Sequence, residues 1–242
     1  MPFPGYYDPT DNGRQLTSKL WRGFNHMALN ANPGLGWMEV DDFNKSGGAT
    51  DWTLVNATAG TAALDPTEQN GNLLIDAAST TDNQGVVQLQ YLGMCATPAA
   101  GNVLAYEVRA KANVIAKIDL FLGMASTDAN ILSTMPTNYI GFYVVDVGAG
   151  LTFGCQDGTE ETSSSDVHTL VADTYVKLGF RLEYGSAPEC YVNGEEVTTG
   201  ISADAAPDSL MRPSYACLCG TGTPSSQPEL NLDWHAVGFR SL

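Results

Sequence analysis

The acidic residues of this sequence are poorly spaced for chemistry that needs two carboxylates. The run Lys117–Met124 alternates as a strand does, and Asp119 has Lys117 and Phe121 two residues away on either side. Because successive strand side chains point to opposite faces, these three share one face. A retaining glycosidase needs two carboxyl groups roughly 5–5.5 Å apart, one as nucleophile and one as acid/base. Asp119 by itself cannot supply both, so the sequence predicts no catalytic residues.

Metal binding by acidic side chains is a second option. The acidic cluster within residues 39–42 is predicted to be a solvated strand edge, since acidic side chains mostly stay exposed. A calcium ion would need about six to eight oxygen ligands from several loops. Asp157, Asp204 and residues 82–83 could contribute, but no Asp-x-Asp-x-Asp-Gly loop is present. Calcium stays open as an alternative, while the prediction is that the chain uses no metal and no cofactor.

Histidine and cysteine spacing also argues against a site. His26, His168 and His235 lie far apart, without His-x-His or His-Glu-x-x-His spacing. Cys217 and Cys219 would share a strand face, but a structural zinc ion needs four well-placed ligands. The count of five cysteines is odd, so they cannot all pair within one chain, and unpaired thiols are predicted. There is no Gly-x-Ser-x-Gly turn, phosphate-binding loop or dinucleotide fingerprint.

Aromatic rings could bind sugars by stacking on them. Trp52, beside Asp51 and Thr53, is the best candidate for an exposed ring and is predicted as the candidate sugar contact. Trp234 alternates with polar neighbours and is predicted to lie in the core. No convergent polar and aromatic set accompanies Trp52, so sugar binding is kept as an alternative.

Charge and composition narrow the partners. The net charge of −16 would repel duplex DNA and anionic membranes, so neither nucleic acid nor membrane is expected as a partner. The start of the chain has no basic and apolar signal pattern, and no run approaches the ~20 apolar residues of a membrane span. With 43% hydrophobic residues the chain can form a substantial core. The unpaired thiols are typical of a protein made in a reducing cytoplasm.

Residues 1–36 are predicted to form an extended N-terminal arm. Four prolines and several Gly and Asn residues interrupt this stretch, and one short helix is expected around Thr17–Arg22. Either the body of the chain or a neighbouring subunit must hold such an arm. The arm is too short to bury its own aromatic rings, so five residues are predicted to be assembly contacts: Phe3, Tyr6, Tyr7, Trp21 and Phe24. Deleting residues 1–36 is expected to leave the remaining domain folded while abolishing assembly.

Residues 37–242 have the period-two pattern of antiparallel strands. In Val103–Ala112 apolar residues alternate with charged ones, and Glu107 is predicted to lie on the solvated face. Tyr175–Tyr184 has the same pattern, with Arg181 predicted to face solvent, and 230–236 repeats it with Leu230, Leu232, Trp234 and Ala236 facing inward. Asn193-Gly194 marks a hairpin, because both residues tolerate positive φ. About a dozen strands with little helical pattern favour two packed antiparallel sheets, each strand with one solvated face.

The order of these elements resembles the concanavalin A-like lectin/glucanase superfamily, in the non-catalytic versions found in virion proteins of tailed phages. In β-glucanases of that fold a Glu-x-Asp-x-Glu strand carries the acidic side chains, where this chain has Lys117, Asp119 and Phe121. The matching pieces are Asp41-Asp42-Phe43, Gly71–Ile75, Tyr106–Ala110, Ile118–Gly123, Tyr139–Phe142, Leu178–Arg181, Tyr191–Gly194 and Leu232–Trp234. The resemblance implies an all-β, two-sheet antiparallel jelly-roll sandwich over 37–242, with the extended arm at its N-terminus.

The resemblance and the missing carboxylates together predict a non-enzymatic virion structural protein. Its expected role is that of a decoration or cement protein on the exterior of a phage capsid. The expected partners are the major capsid protein and neighbouring copies of the chain. Closed cyclic symmetry is the default for repeated subunits, and the resemblance implies a homotrimer, since cement proteins often sit on local three-fold axes of capsids. The alternative is a carbohydrate-binding module of a tail fibre or receptor-binding protein, which would contact surface glycans.

Overall fold

The computed structural model describes residues 15–43, 52–55, 60–64, 71–77, 84–91, 95–128, 130–145, 148–220 and 226–242. In these ranges the chain has one helix, α1 (His26–Ala31), and two single-turn 3₁₀ helices (Pro33–Leu35 and Ala203–Ala205). The helix expected around Thr17–Arg22 is wrong, since residues 18–23 form turns instead. The described strands are β1 (Gly36–Asp41), β2 (Trp52–Val55), β3 (Thr61–Leu64), β4 (Leu73–Asp76), β5 (Gln84–Tyr91), β6 (Asn102–Ala112), β7 (Ile118–Ala125), β8 (Asn138–Val144), β9 (Gly150–Asp157), β10 (Glu161–Thr169), β11 (Val176–Glu183), β12 (Glu189–Val192), β13 (Glu195–Val197), β14 (Arg212–Cys219) and β15 (Glu229–Ser241).

The strands form two antiparallel sheets, which confirms the all-β jelly-roll sandwich. Sheet A has the order β13-β12-β11-β6-β15-β4-β3, and β1 pairs with the second half of β15. Sheet B has the order β10-β9-β8-β7-β14-β5-β2, which places β7 at its centre. Because strands far apart in sequence are neighbours in both sheets, each sheet joins the two halves of the chain.

The main core lies between the inner faces of the sheets. The predicted inward residues of β6 and β11 are there, and the rings of Tyr106 and Phe180 stack with centroids 5.1 Å apart. Phe153, which belongs to sheet B, packs against this pair, with its ring centroid 6.1 Å from that of Phe180. The period-two interpretation of these two strands is confirmed.

The inward pattern predicted for β15 is correct only in its first half. Leu230 and Leu232 face the core, but the pairing with β6 shifts by one residue between Leu232 and Trp234. An extra residue in one strand reverses which side chains face inward beyond it. Trp234 is therefore buried on the outer face of sheet A rather than in the main core, and His235 points between the sheets.

Candidate functional site: two covered sheet faces and a rim cleft

The outer face of sheet B is covered by the chain itself. The described residues that connect β7 to β8, 126–128 and 130–137, are here called the cover loop. Ile131 and Leu132 of this loop are 0% and 8% exposed and pack against Phe121 at the centre of the sheet. Phe121 is fully buried as a result. Phe121 stands where the resemblance would place a second carboxylate, and here its side chain makes apolar contacts instead.

Two glutamines of β5 hold the cover loop through its main chain. The side-chain amide of Gln88 donates to Asp128 O at 2.8 Å, and its oxygen accepts from Ile131 N at 2.7 Å. Gln90 donates to Ser126 O at 3.1 Å and accepts from Asp128 N at 3.2 Å. Both glutamines are almost fully buried. Each amide thus satisfies a donor and an acceptor of the loop, as a neighbouring strand would.

Beside the cover loop, tyrosine rings occupy the rest of this face. Tyr139 packs edge-on to Phe121 and Tyr143, and its hydroxyl donates to Glu161 Oε1 at 2.6 Å. Burial, reinforced by this bond, raises the pKa of Tyr139. Gly141 and Gly154 are register partners, and a Cβ at Gly154 would lie 3.1 Å from the Tyr143 ring. Close approach of the rings to the sheet therefore depends on small residues beneath them.

Residues 15–24, here called the anchor segment, cover the outer face of sheet A. Glu107 of β6 is 1% exposed and accepts hydrogen bonds from Thr17 N at 3.0 Å, Thr17 Oγ1 and Trp21 Nε1 at 2.7 Å. The ammonium group of Lys177 lies 3.7 Å from Glu107 Oε1. Burial raises the pKa of Glu107, while Lys177 and the bonds from Thr17 and Trp21 oppose that rise. Glu107 was predicted to be solvated, and that prediction is wrong.

Two basic side chains of β11 bind the main chain of the anchor segment. Lys177 Nζ donates to Gln15 O at 2.6 Å, and Arg181 Nη1 donates to Leu20 O at 3.3 Å and Arg22 O at 3.2 Å. Arg181, predicted to face solvent, is 3% exposed. The charges on this face are therefore used to recognise a peptide turn.

Among the predicted arm residues, Trp21 and Phe24 belong to this layer. Trp21 is 6% exposed, Phe24 is partly buried, and their rings meet edge-on with centroids 5.3 Å apart. The body of the chain itself thus holds the described part of the arm. Phe3, Tyr6 and Tyr7 lie outside the described residues. The division at residue 36 and the assembly role of the arm stay predictions.

Trp52, predicted to be an exposed sugar contact, is instead buried at 6% exposure. Its ring packs between the sheets against three other rings. The centroid distances are 4.8 Å to Tyr91, 5.2 Å to Tyr215 and 5.6 Å to His235. The aromatic residues of β5, β14 and β15 converge there and remove the indole from water. The expected exposure of Trp52 is wrong, because Thr53 lies on the opposite face of β2 and does not report on the face of Trp52. Asp51 lies outside the described residues.

A surface cleft of about 240 Å³ lies at one rim of the sandwich, lined mainly by Asp157, Tyr184, Asp204 and Asp208. The carboxylate of Asp157 accepts from Thr159 N, at 2.8 Å, and from Glu160 N, at 2.8 Å, and such bonds lower its pKa. Asp157 and Asp204, considered above for calcium, thus lie at one cleft. In the described part of the chain, no group of three His, Cys, Asp or Glu side chains is placed to hold a metal ion.

Sequence reasoning missed Glu107, Arg181, Gln88 and Gln90 as contact residues. A signal existed for the glutamines, because they alternate in an otherwise apolar strand that ends at Tyr91. For Glu107 and Arg181 the charge alternation is that of a solvated face, and nothing local distinguishes them. No helix in the described ranges is long and apolar enough to cross a membrane.

No family of known sequences matches the chain, and no curated protein sequence matches it. Solved structures do share its fold. The endo-1,3-β-glucanase of Streptomyces sioyaensis is 14% identical with a TM-score of 0.60, over 84% of this chain and 96% of that one. The laminarinase catalytic domain of Thermotoga maritima is 14% identical with a TM-score of 0.58, over 86% and 98%. A protein of unknown function from Shewanella oneidensis MR-1 is 15% identical with a TM-score of 0.59, over 86% and 87%.

These likenesses confirm the concanavalin A-like jelly roll and correct one expectation. The chain was predicted not to be an enzyme, yet several of the structures that share its fold over most of their length are endo-glucanases. At 10–15% identity the likeness establishes the fold alone. Exclusion of enzymatic activity on the pattern of β7 is therefore withdrawn, and glycoside hydrolysis belongs among the activities to be measured.

Proposed function

We propose that the chain is a structural protein of a tailed-phage virion that decorates the capsid exterior and cements neighbouring subunits. The observation that carries the proposal is the cover loop, which Gln88 and Gln90 fasten over the centre of sheet B. A face sealed by satisfied hydrogen bonds and buried apolar side chains contributes to rigidity. A rigid sandwich of this kind would perform its structural role through surface contacts with other subunits.

The charge of the chain fits the same role. A net charge of −16 keeps a free subunit soluble and limits non-specific binding to the nucleic acid released or packaged nearby. Recognition of a capsid would then depend on specific contacts of the rims, the edge strands and the N-terminal arm. The expected partners remain the major capsid protein and neighbouring copies of this chain, with a homotrimer as the proposed state.

The test measures binding of the purified protein to empty phage heads. Purified protein is mixed with heads that lack it and sedimented, and the bound copies are counted by quantitative mass spectrometry. Saturable binding at a fixed ratio to the major capsid protein is expected, together with recovery of the chain from purified virions. A chain that is missing from virions and does not bind heads would refute the proposal.

A second candidate is glycan recognition, as in a receptor-binding module. It is favoured by the rim cleft, where Tyr184 is 38% exposed beside three carboxylates that could accept sugar hydroxyls. Binding to a glycan array should then be lost in Tyr184→Ala and kept in Val171→Ala, a change at an exposed residue outside the cleft lining. Release of reducing sugar from β-glucans by the same samples would show that the chain also hydrolyses glycans.

A further inference from the structure

Four ring side chains between the sheets carry polar atoms that are shut off from solvent. These atoms are the indole N–H of Trp52, the hydroxyls of Tyr106 and Tyr215, and Nδ1 of His235. Trp52 is 6% exposed, and the other three residues are at most 1% exposed. Within the described ranges none of the four atoms has a hydrogen-bond partner. Buried polar groups in folded proteins nearly always bond to protein atoms or to ordered water, because an unsatisfied group is costly.

The four side chains form one group, here called the polar ring cluster. The ring centroid of Trp52 lies 5.2 Å from that of Tyr215 and 5.6 Å from that of His235, and the rings of Tyr215 and His235 stack at 6.0 Å. Burial and the nearby hydroxyl of Tyr106 raise the pKa of Tyr215, so the two hydroxyls are neighbours, although they do not meet in hydrogen-bond geometry. A single water that bridges two polar atoms spans about 5–6 Å between them, which matches the spacing of these rings.

Two departures from regular strand structure place these groups together. The register shift in β15 between Leu232 and Trp234 turns His235 inward, and a bulge of this kind re-aims a side chain. Phe43 has φ +53°, a conformation that a bulky residue rarely adopts, and its ring meets that of His235 edge-on at 5.4 Å. The carboxylate of Asp41 holds this turn by accepting from Phe43 N at 2.8 Å. The chain thus places an imidazole between the sheets where an unbroken alternation would have placed the indole of Trp234.

The chemistry of the polar ring cluster sets the kind of ligand that it can hold. An indole N–H can only donate, a hydroxyl can donate and accept, and each nitrogen of a neutral imidazole does one or the other. Burial lowers the pKa of His235 to about 3, so the ring is neutral near neutral pH and a neutral ligand suits it. The rings of Trp52 and Tyr91 already pack with centroids 4.8 Å apart, which leaves no space for another ring between them. Water is neutral, small, and both a donor and an acceptor, so it meets all of these requirements.

We infer that the polar ring cluster is an internal water-binding site, in which enclosed water accepts a hydrogen bond from Trp52 and bonds with His235 Nδ1 and the two tyrosine hydroxyls. Buried waters typically make about three hydrogen bonds to polar groups that lack other partners. Trp52 and Tyr215 belong to sheet B, while Tyr106 and His235 belong to sheet A. The water therefore links the two sheets by hydrogen bonds across a mainly apolar core. Enclosed water does not replace bulk solvent, so His235 stays neutral, and the site does not depend on a role in a virion.

The test combines a high-resolution crystal structure with magnetic relaxation dispersion of the solvent water, which counts the water molecules that stay inside the protein for longer than it takes to tumble. The full chain is measured as wild type, Tyr215→Phe and Trp52→Phe. Tyr215→Phe removes a single oxygen atom and keeps the ring, so it serves even if Trp52→Phe does not fold. Tyr139→Phe is the matched control, because Tyr139 is an equally buried tyrosine whose hydroxyl bonds to Glu161 on the outer face of sheet B.

The crystal structure should show water within hydrogen-bond distance of at least two of the four atoms. Relaxation dispersion should detect fewer long-lived waters, or shorter residence times, in Tyr215→Phe and Trp52→Phe than in the wild type, and no change in Tyr139→Phe. A polar ring cluster without water in the electron density, or one that holds a larger molecule, would overturn the inference. So would relaxation profiles that are the same in the wild type and in both cluster variants.

Discussion

The indole N–H of Trp21 donates a hydrogen bond of 2.7 Å to Oε2 of Glu107, although the two residues are 86 positions apart in the chain. Both are removed from water, with Trp21 6% and Glu107 1% exposed. A buried polar group that loses its partner costs more free energy than a typical hydrogen bond contributes. The anchor segment and the centre of sheet A therefore depend on each other through this bond.

Changes at Trp21 should separate the packing from the hydrogen bond. Trp21→Phe keeps a ring over Gly238 but leaves Glu107 without the indole donor, and should lower the free energy of unfolding by about 1–3 kcal/mol. Trp21→Ala also loses the packing and should cost about 3–5 kcal/mol. Urea denaturation followed by circular dichroism measures both. An unchanged stability of Trp21→Phe would show that the hydrogen bond contributes nothing, and equal losses in the two variants would show that the packing contributes nothing.

Gly238 should tolerate no side chain while the anchor segment is docked. In Gly238→Ala the added methyl group would meet Phe24 at 2.7 Å and Trp21 at 2.9 Å, so the segment must shift, at a cost of about 1–3 kcal/mol of unfolding free energy. Gly200→Ala is the matched control, because no atom lies within 4 Å of a Cβ there. If hydrogen exchange of residues 15–24 is the same in both variants, the predicted displacement is absent.

Several elements of the fold could be predicted because their determinants are local. Asn193 and Gly194 adopt φ of +50° and +86° and join β12 to β13, as the Asn-Gly pair predicts. The alternation of β6 and β11 places their inner residues correctly. The polar edge strand β10 was not predicted, because its outer position leaves it few buried residues and so no apolar pattern.

The contact residues were harder to predict, because their burial is decided by segments far away in the chain. Arg181 alternates as a solvated residue does, yet Leu20 and Arg22 cover it from about 160 positions away. Trp52 has polar neighbours in sequence, but rings from three other strands bury it. The bulge in β15 follows from its pairing with β6, which no short window of sequence contains.

The same long-range dependence revises the expected result of removing the arm. Deletion of residues 1–36 was expected to leave the domain folded, but residues 15–36 include the donors to Glu107 and the first residue of β1. We expect deletion of residues 1–24 to lower the unfolding free energy well below that of a deletion of residues 1–14. Comparison of the two truncations by thermal denaturation measures the difference, and matching melting temperatures would contradict it.

Gln88 should control the cover loop without affecting the rest of the sandwich. Gln88→Ala leaves Ile131 N–H and Asp128 C=O without their side-chain partner and should cost about 1–3 kcal/mol. Hydrogen exchange should then speed up at the Ile131 amide while β6 and β11 stay protected. Gln156→Ala, at a half-buried glutamine of β9 in the same sheet, serves as the control. Unchanged exchange at Ile131 would show that other contacts hold the loop.

His235 should make the protein sensitive to acid. Its ring is enclosed by Phe43, Trp52, Tyr91 and Tyr215, and burial lowers its pKa from the ordinary 6.5 to about 3. Between these two values the unfolded chain binds a proton at this position and the folded chain does not. The free energy of unfolding should therefore fall as the pH drops below 6.5, by up to about 1.4 kcal/mol per pH unit from this residue.

The measurement is urea denaturation of the wild type and His235→Gln from pH 7.5 to pH 3.5. The variant is expected to be less stable at pH 7.5, because glutamine cannot fill the space of the ring, but its stability should fall less steeply with acid. His168→Gln is the control, since His168 lies half-buried on β10 and burial lowers its pKa to a smaller extent. Parallel stability profiles for the wild type and His235→Gln would mean that His235 is already hydrated or charged in the folded chain.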